Sequence, residues 1–121
     1  MLEVEIQASI KGHQKRNTEL MKRLRAKGAI LGEPRSIDLH FWAPSQKHAA
    51  LLSRALYERG FLVLVLAPAN SKEDPKRWNI EAGVRQSINI TIRKEFVEGM
   101  VRMASDFSSE FDGWGTSLDL Q

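Results

Sequence analysis

Hydrophobic positions follow a helical period in three segments of the chain and are typical of strands in the segments between and after them. Across residues 10–28, a short apolar stripe from Leu20 to Leu24 is followed by cations and then by Gly28, which predicts a leading helix with a glycine stop. The stripe is narrow, so we expect this helix to lie on the outside of a domain. Residues 1–9 alternate only weakly and are predicted to form a frayed arm.

Alternation with a period of two predicts strands at Ser36–Ala43 and from Trp78 toward Ile90. Apolar residues run without interruption from Phe61 to Ala67, and such a run is typical of a strand that is buried on both faces. The glycine-punctuated segment Phe111–Thr116 favours a short edge strand or a bulge.

Two further helices are predicted between these strands. Ser45 is placed to cap the first of them, and Gly60 to end it. Thr91 is placed to cap the second, whose apolar positions recur every three or four residues from Ile92 to Phe107. This last segment carries the strongest helical pattern in the chain.

The order of elements is a helix followed by β-α-β-β-α-β. It predicts an α+β fold, namely a ferredoxin-like βαββαβ sandwich with an antiparallel sheet of order 4-1-3-2 and an extra N-terminal helix. We expect a single domain over residues 1–121, with its core at 36–117. In this topology the second strand lies at an edge, yet it is apolar on both faces. We therefore expect either the leading helix or a second subunit to cover its second face.

Composition excludes several functional classes. The chain has 121 residues and no cysteine, which excludes disulfide scaffolds, thiolate metal sites and a cysteine nucleophile. No apolar stretch approaches the length of a membrane span, and the N-terminus lacks the apolar region of a signal peptide. We expect a cytoplasmic protein without a membrane partner.

Charge is distributed unevenly along the chain. The net charge of +3 combines +4 over residues 1–30, +4 over residues 31–94 and −5 over residues 95–121. A basic leading helix and body therefore precede an acidic end. The mildly basic total neither establishes nor excludes a nucleic-acid partner.

No pattern in the sequence indicates catalysis. The chain contains no nucleophile elbow, P-loop, dinucleotide fingerprint or zincin motif. Asp38 and His40 share a strand face, but two ligands do not make a metal site. Glu110, Asp112 and Asp119 are interpreted as a solvated acidic end. We expect a protein that is not an enzyme, with no catalytic residues, metal or cofactor.

The open face of the predicted sheet is the candidate contact surface. His40 and Trp42 on the first strand and Arg85 on the third lie on this face. The alternative for Trp42 is that it packs under the leading helix. The same face of the third strand has no aromatic residue, which disfavours base stacking on the sheet. Phosphate contacts by the basic leading helix stay open.

The segment Phe111-Asp-Gly-Trp-Gly-Thr116, just after an amphipathic helix, resembles the C-terminal signature of the RraB family. Members of this family regulate ribonuclease E activity, and an aromatic-Asp-Gly-Trp-Gly/Glu motif closes their domain. A leading helix that ends in glycine, a proline turn, a strand with alternating aromatics, an Ala/Leu-rich helix and a β-hairpin agree in order. The resemblance covers about residues 10–117.

This resemblance implies a ferredoxin-like domain with an added N-terminal helix and a non-catalytic role. It implies a protein partner of the ribonuclease E type, whose RNA cleavage the best-known members inhibit. The motif residues are interpreted as structural: Asp112 and Gly113 would make the turn, Trp114 would anchor the sheet edge, and Gly115 completes the motif.

One departure separates this chain from the inhibitory members. Those members are strongly acidic, which suits a basic, arginine-rich partner segment, whereas this chain is basic except for its last quarter. Two alternatives therefore stay open. One is a ferredoxin-like domain that dimerises or binds a small ligand through its open sheet face, and the other is a weak RNA binder that uses the basic leading helix.

Overall fold

The computed structural model describes residues 2–117. In this part of the chain, four helices and four strands form a domain around one sheet. The helices are α1 (Glu3–Ala26), α2 (Gln46–Glu58), α3 (Ile88–Thr91) and α4 (Lys94–Asp106). The strands are β1 (Arg35–Ala43), β2 (Leu62–Pro68), β3 (Trp78–Gln86) and β4 (Glu110–Thr116).

The four strands form one sheet in the order β2-β3-β1-β4, and every neighbouring pair is antiparallel. The predicted order 4-1-3-2 is the same arrangement named from the other edge, so the ferredoxin-like α+β fold with an added N-terminal helix is confirmed. The capping predictions at Ser45 and Gly60 are also confirmed. The Ser45 hydroxyl accepts the His48 backbone N–H at 3.3 Å, and Gly60 has a φ of +89°.

The core lies between the sheet and a layer of helices on one of its faces. On β1, Ile37, Leu39, Phe41 and Ala43 are buried, while the residues between them lie on the opposite face. Helix α2 packs over β2 and β3, and α4 packs toward β4. The strong helical period of α4 is explained by this packing, because its buried residues all face the core.

Helix α1 begins at Glu3, so the predicted arm over residues 1–9 is wrong for the residues described. Ile6 and Ile10 are buried, and α1 packs chiefly against α4. The Glu3 carboxylate accepts two hydrogen bonds from the Arg102 guanidinium, at 2.7 and 2.9 Å, which attaches the first turn of α1 to α4. Weak alternation misled the prediction because the contacts that hold this turn lie far away in sequence.

Two predictions near the end of β3 are also wrong. The strand ends at Gln86, because Ser87 caps the short helix α3 through its hydroxyl, which accepts the Ile90 N–H at 3.1 Å. Thr91 does not cap α4. It lies buried within α3, donates to the Ser87 carbonyl at 2.9 Å and leaves Arg93 as the N-cap of α4.

Strand β2 was predicted to be buried on both faces, and this prediction is wrong. Leu62 is 62% exposed and Leu64 is 51% exposed. The leading helix does not cover β2, because it lies beside α4 toward the opposite edge of the sheet. Among residues 2–117 no element covers the outer face of β2.

Candidate functional site

The face of the sheet opposite the helices, here called the open face, carries the predicted contact residues. His40 and Trp42 project from β1 on this side, and Arg85 projects from β3. His40 lies opposite Glu81 in the strand register, whereas Arg85 lies opposite Ser36, four residues before His40 on β1. The structure therefore places all three residues on one face but keeps Arg85 apart from the other two.

The apolar part of the open face is formed by β2. Leu62 pairs with Gly83 and Val65 with Glu81, and a bulge between them displaces Leu64. A Cβ atom at Gly83 would lie 3.1 Å from the Leu64 Cδ1 atom, so the glycine leaves the space in which Leu64 lies over β3. The exposed leucines of β2 are thus brought toward the middle of the sheet.

Trp42 does not lie under the leading helix. Its ring is covered by the Arg77 guanidinium, whose central carbon is 3.7 Å from the ring centroid, a cation–π geometry. Arg77 comes at the end of the loop before β3. The same end of the sheet forms a cleft of about 380 Å³ that is lined by Trp42, Arg77 and residues of α1, α4 and β4.

Carboxylates are concentrated on the open face. Asp38 and Glu81 lie there on β1 and β3, and Glu110 pairs with Trp42 on β4. Asp112 lines a groove on this face together with His40 and Trp42. Arg85 of β3 and Arg77, which covers the Trp42 ring, oppose these four acids on that side, so the open face is locally acidic although the whole chain is basic.

The motif Asp112-Gly113-Trp114-Gly115 lies at a bulge in β4. The register with β1 shifts between His40 and Phe41, so that Phe41 pairs with Phe111 and His40 pairs with Gly113. Gly113 has a φ of +125°, a conformation that glycine adopts without a steric penalty. The bulge turns Asp112 outward and restores Trp114 to the inner face opposite Leu39.

A buried polar contact fastens α1 to this bulge. His13 is only 4% exposed, and its Nε2–H donates to the Phe111 carbonyl at 2.9 Å. Its Nδ1 accepts from the Arg16 guanidinium at 3.0 Å. Since a carbonyl only accepts and a guanidinium only donates, these partners assign His13 as the neutral Nε2–H tautomer.

The environment of His13 disfavours the imidazolium. Burial is the main cause of its lowered pKa, and the positive charge of Arg16 adds to it. A proton on Nδ1 would also remove the acceptor that Arg16 uses. Asp112 and the Phe111 carbonyl act in the opposite direction but do not reverse the shift. His13 is therefore a neutral structural contact between α1 and β4.

A second buried contact reaches the tryptophan of the motif. Asn17 is 7% exposed, and its Oδ1 accepts the Trp114 indole N–H at 2.8 Å. The structural interpretation of Trp114 gains a specific partner in this way. Asp112 and Trp114 both belong to the wall of a cleft of about 450 Å³ between α1 and β4, here called the α1–β4 cleft.

Sequence reasoning missed His13 and Asn17 because this half of α1 has polar residues on all sides. A signal was nevertheless present in their spacing. The buried positions of α1 recur at intervals of three or four residues, and the two polar residues fill the middle of that series: Ile6, Ile10, His13, Asn17, Met21 and Leu24.

Residues 2–117 contain no group of three or more histidine, aspartate or glutamate side chains placed to hold a metal ion. Asp38 and His40 accordingly acquire no third ligand. Asp119, considered above with Glu110 and Asp112, lies outside the described residues. None of the helices described is both long and apolar enough to cross a membrane.

The fold and the site together define a ferredoxin-like α+β domain with an open sheet face and a leading helix that is held against β4. The two buried contacts that hold it, His13 with Phe111 and Asn17 with Trp114, are here called the clasp. A family model described as RraB, regulator of ribonuclease activity B, matches residues 14–116. The chain belongs to this family. The match includes the glycine-tryptophan motif, Asn17 of α1 and the whole sheet, and it begins at the residue after His13. A search of curated proteins finds no match to the chain.

Proposed function

We propose that the chain is a non-catalytic, cytoplasmic regulator that binds a ribonuclease of the E type and reduces its cleavage of RNA. The observation that carries this proposal is the family match across residues 14–116, since the family is described as a regulator of ribonuclease activity. The proposed binding surface is the open face of the sheet.

The distribution of charge on the open face supports a basic partner segment. Net charge would disfavour such a partner, because the chain carries +3 in total. Short-range recognition depends on the local surface, and Asp38, Glu81, Glu110 and Asp112 place four carboxylates on this one face. An arginine-rich segment would meet complementary charge there.

The apolar residues of β2 supply the other half of the proposed surface. Three apolar side chains of β2 are exposed on the same face as the carboxylates of β1 and β3: Leu62, Leu64 and Val65. Burial of apolar side chains contributes affinity, while charge sets orientation and association rate. A partner segment with alternating basic and apolar residues would satisfy both halves.

The test uses the purified chain and ribonuclease E from the same source, with calorimetry for binding and a labelled RNA for cleavage. We expect a complex and slower cleavage when the chain is added. Leu62→Asp should weaken the complex about tenfold or more because it places a desolvated charge at the contact. Leu51→Asp, at an exposed leucine of α2 on the helix side, is the matched control.

The acidic half is tested by Glu110→Gln and Asp112→Asn together, with Glu95→Gln and Asp106→Asn of α4 together as the control for the loss of two negative charges. The double variant should slow association and reduce its salt dependence. Absence of binding by the unchanged chain would reject the proposal. Equal losses in the open-face and control variants would reject the open face as the surface.

Dimerisation is a second candidate, favoured by the bare edge of β2. This strand has unpaired backbone groups along one side and exposed apolar side chains, a combination that promotes pairing with another strand. Light scattering measures it directly. A dimer that Leu62→Asp converts to a monomer would support this candidate, and a concentration-independent monomer would remove it.

A further inference from the structure

Asn17, which lines the α1–β4 cleft, carries a buried hydrogen-bond donor that no group among residues 2–117 satisfies. Asn17 uses Oδ1 to accept the Trp114 indole N–H, while its Nδ2 is buried without a partner among residues 2–117. The indole can only donate, so the two arms of the amide cannot be exchanged. The missing partner of Asn17 is therefore an acceptor. A buried amide donor left unpaired is costly, and natural structures keep few of them.

Cations outnumber carboxylates in the lining of this cleft. Lys15, Arg16 and Arg23 of α1 line the cleft, against the carboxylates of Glu19 and Asp112. Arg16 is held in place through its bond to His13 Nδ1 at 3.0 Å, so one guanidinium is already oriented. An acceptor that enters beside Asn17 is thus favoured when it carries negative charge.

The remaining wall of the cleft is apolar and of suitable size. Leu20 and the Trp114 ring contribute apolar surface, and the volume of about 450 Å³ falls within the range of about 300–1,000 Å³ typical of small-molecule sites. A bare inorganic ion would leave this surface uncovered. The cleft therefore fits an anionic group attached to a small planar or apolar body.

We propose that the α1–β4 cleft binds a small organic anion whose phosphate or carboxylate oxygen accepts a hydrogen bond from Asn17 Nδ2. Arg16 and Arg23 neutralise its charge, and its body lies along Leu20 and Trp114. This site lies between α1 and the edge strand β4, and its existence does not depend on the proposed ribonuclease partner.

The test is a titration of the full chain labelled with ¹⁵N, at constant ionic strength, with no ribonuclease present. Phenyl phosphate and benzoate share a planar body and differ in their anionic group, and benzyl alcohol is the neutral counterpart. We expect one or both anions to shift the Asn17 side-chain amide and the Trp114 indole resonances in a saturable manner. The anion that binds more tightly identifies the preferred group.

Two variants examine the assignment of residues. Asn17→Asp keeps an oxygen that accepts the Trp114 N–H but replaces the orphan donor with a negative charge, and it should weaken binding about tenfold or more. Arg23→Gln removes one cation of the cleft from an exposed position and should weaken binding several-fold without unfolding the chain. Lys22→Gln removes the same charge one residue away, outside the cleft lining, and is the control.

No saturable shift with either anion would overturn the proposal, as would unchanged affinity in Arg23→Gln. Equal weakening by Lys22→Gln and Arg23→Gln would also overturn it, because a diffuse positive field would then explain the binding. Benzyl alcohol binding as tightly as the anions would show an apolar site without the proposed charge recognition. Loss of the Trp114 indole shift in Arg23→Gln, with Lys22→Gln unchanged, would support the site even if Asn17→Asp fails to fold.

Discussion

At the β4 edge of the sheet, two buried side chains of α1, His13 and Asn17, each form a hydrogen bond to the strand and hold the helix against it. At the β2 edge, α2 packs over the inner face of a seven-residue apolar strand, and no described element covers the outer face. Both edges present the same problem, because an outer strand leaves backbone groups without hydrogen-bond partners and apolar side chains without cover. The difference teaches that α1 fixes the architecture of one edge, while the other edge is left available for a partner.

The largest difference between the edges should appear when an apolar side chain is truncated. Phe111 packs against the rings of Phe41 and His13, with centroids at 5.2 and 4.8 Å, so Phe111→Ala should lower the free energy of unfolding by about 3 kcal/mol. Leu62→Ala at the other edge should change it by less than about 0.5 kcal/mol. Urea denaturation measures both. A similar loss in the two variants would mean that β2 is covered in solution.

Removal of the motif's indole N–H should have an intermediate effect. Trp114→Phe leaves Asn17 with both arms of its amide unpaired, which should cost about 1–3 kcal/mol of stability. Trp42→Phe on the open face is the matched control and should cost less, because only the stacking of Arg77 is weakened. Thermal unfolding of the two variants decides whether the clasp or the tryptophan ring itself carries the stability.

The clasp should also respond to pH. Because the folded state lowers the pKa of His13, the unfolded chain binds a proton more readily than the folded chain does. The contribution of neutral His13 to the free energy of unfolding should therefore be fully present above the ordinary histidine pKa of about 6.5 and should be lost as the pH falls below it. In His13→Gln this part of the pH dependence should disappear. Denaturation midpoints between pH 7.5 and pH 5 test it, and an unchanged slope in the variant would contradict it.

The smallest effect is expected at the start of α1. Glu3→Gln weakens the paired hydrogen bonds to Arg102, which hold the pKa of Glu3 at about 2, but both side chains are substantially exposed. We expect little change in global stability and faster hydrogen exchange over residues 3–9. Glu19→Gln, whose contact with Lys22 is 3.9 Å, should leave that exchange unchanged. Equal exchange in both variants would show that Ile6 and Ile10 alone hold the first turns.

Patterns in the sequence predicted most of the sheet because its signals are local. Alternation in β1, the caps of α2 and the period of α4 each arise from neighbours within one element, and the topology follows from their order. The resemblance to RraB pointed to the same fold, and the family match agrees with it. The contact residues His40, Trp42 and Arg85 lie on the predicted face, and their role stays a prediction.

The position of α1 could not be predicted in this way. His13 and Asn17 are polar, and they are buried because they bond to Phe111 and Trp114 of β4. These partners lie about a hundred residues away in the sequence, so no local pattern indicates the contacts. The same holds for the pairing of Glu3 with Arg102. A strand that is apolar on both faces also looks the same in sequence whether its cover belongs to this chain or to another molecule.

The arrangement of charge has a consequence for how the molecule behaves at a distance. The cations of α1 belong to the helix layer, while the carboxylates of the sheet lie on the opposite, open face. Charge of opposite sign therefore predominates on different surfaces of the protein, which the net charge of +3 conceals. At low ionic strength such a molecule approaches a charged surface in a preferred orientation, and it should be retained by cation- and anion-exchange media through opposite sides.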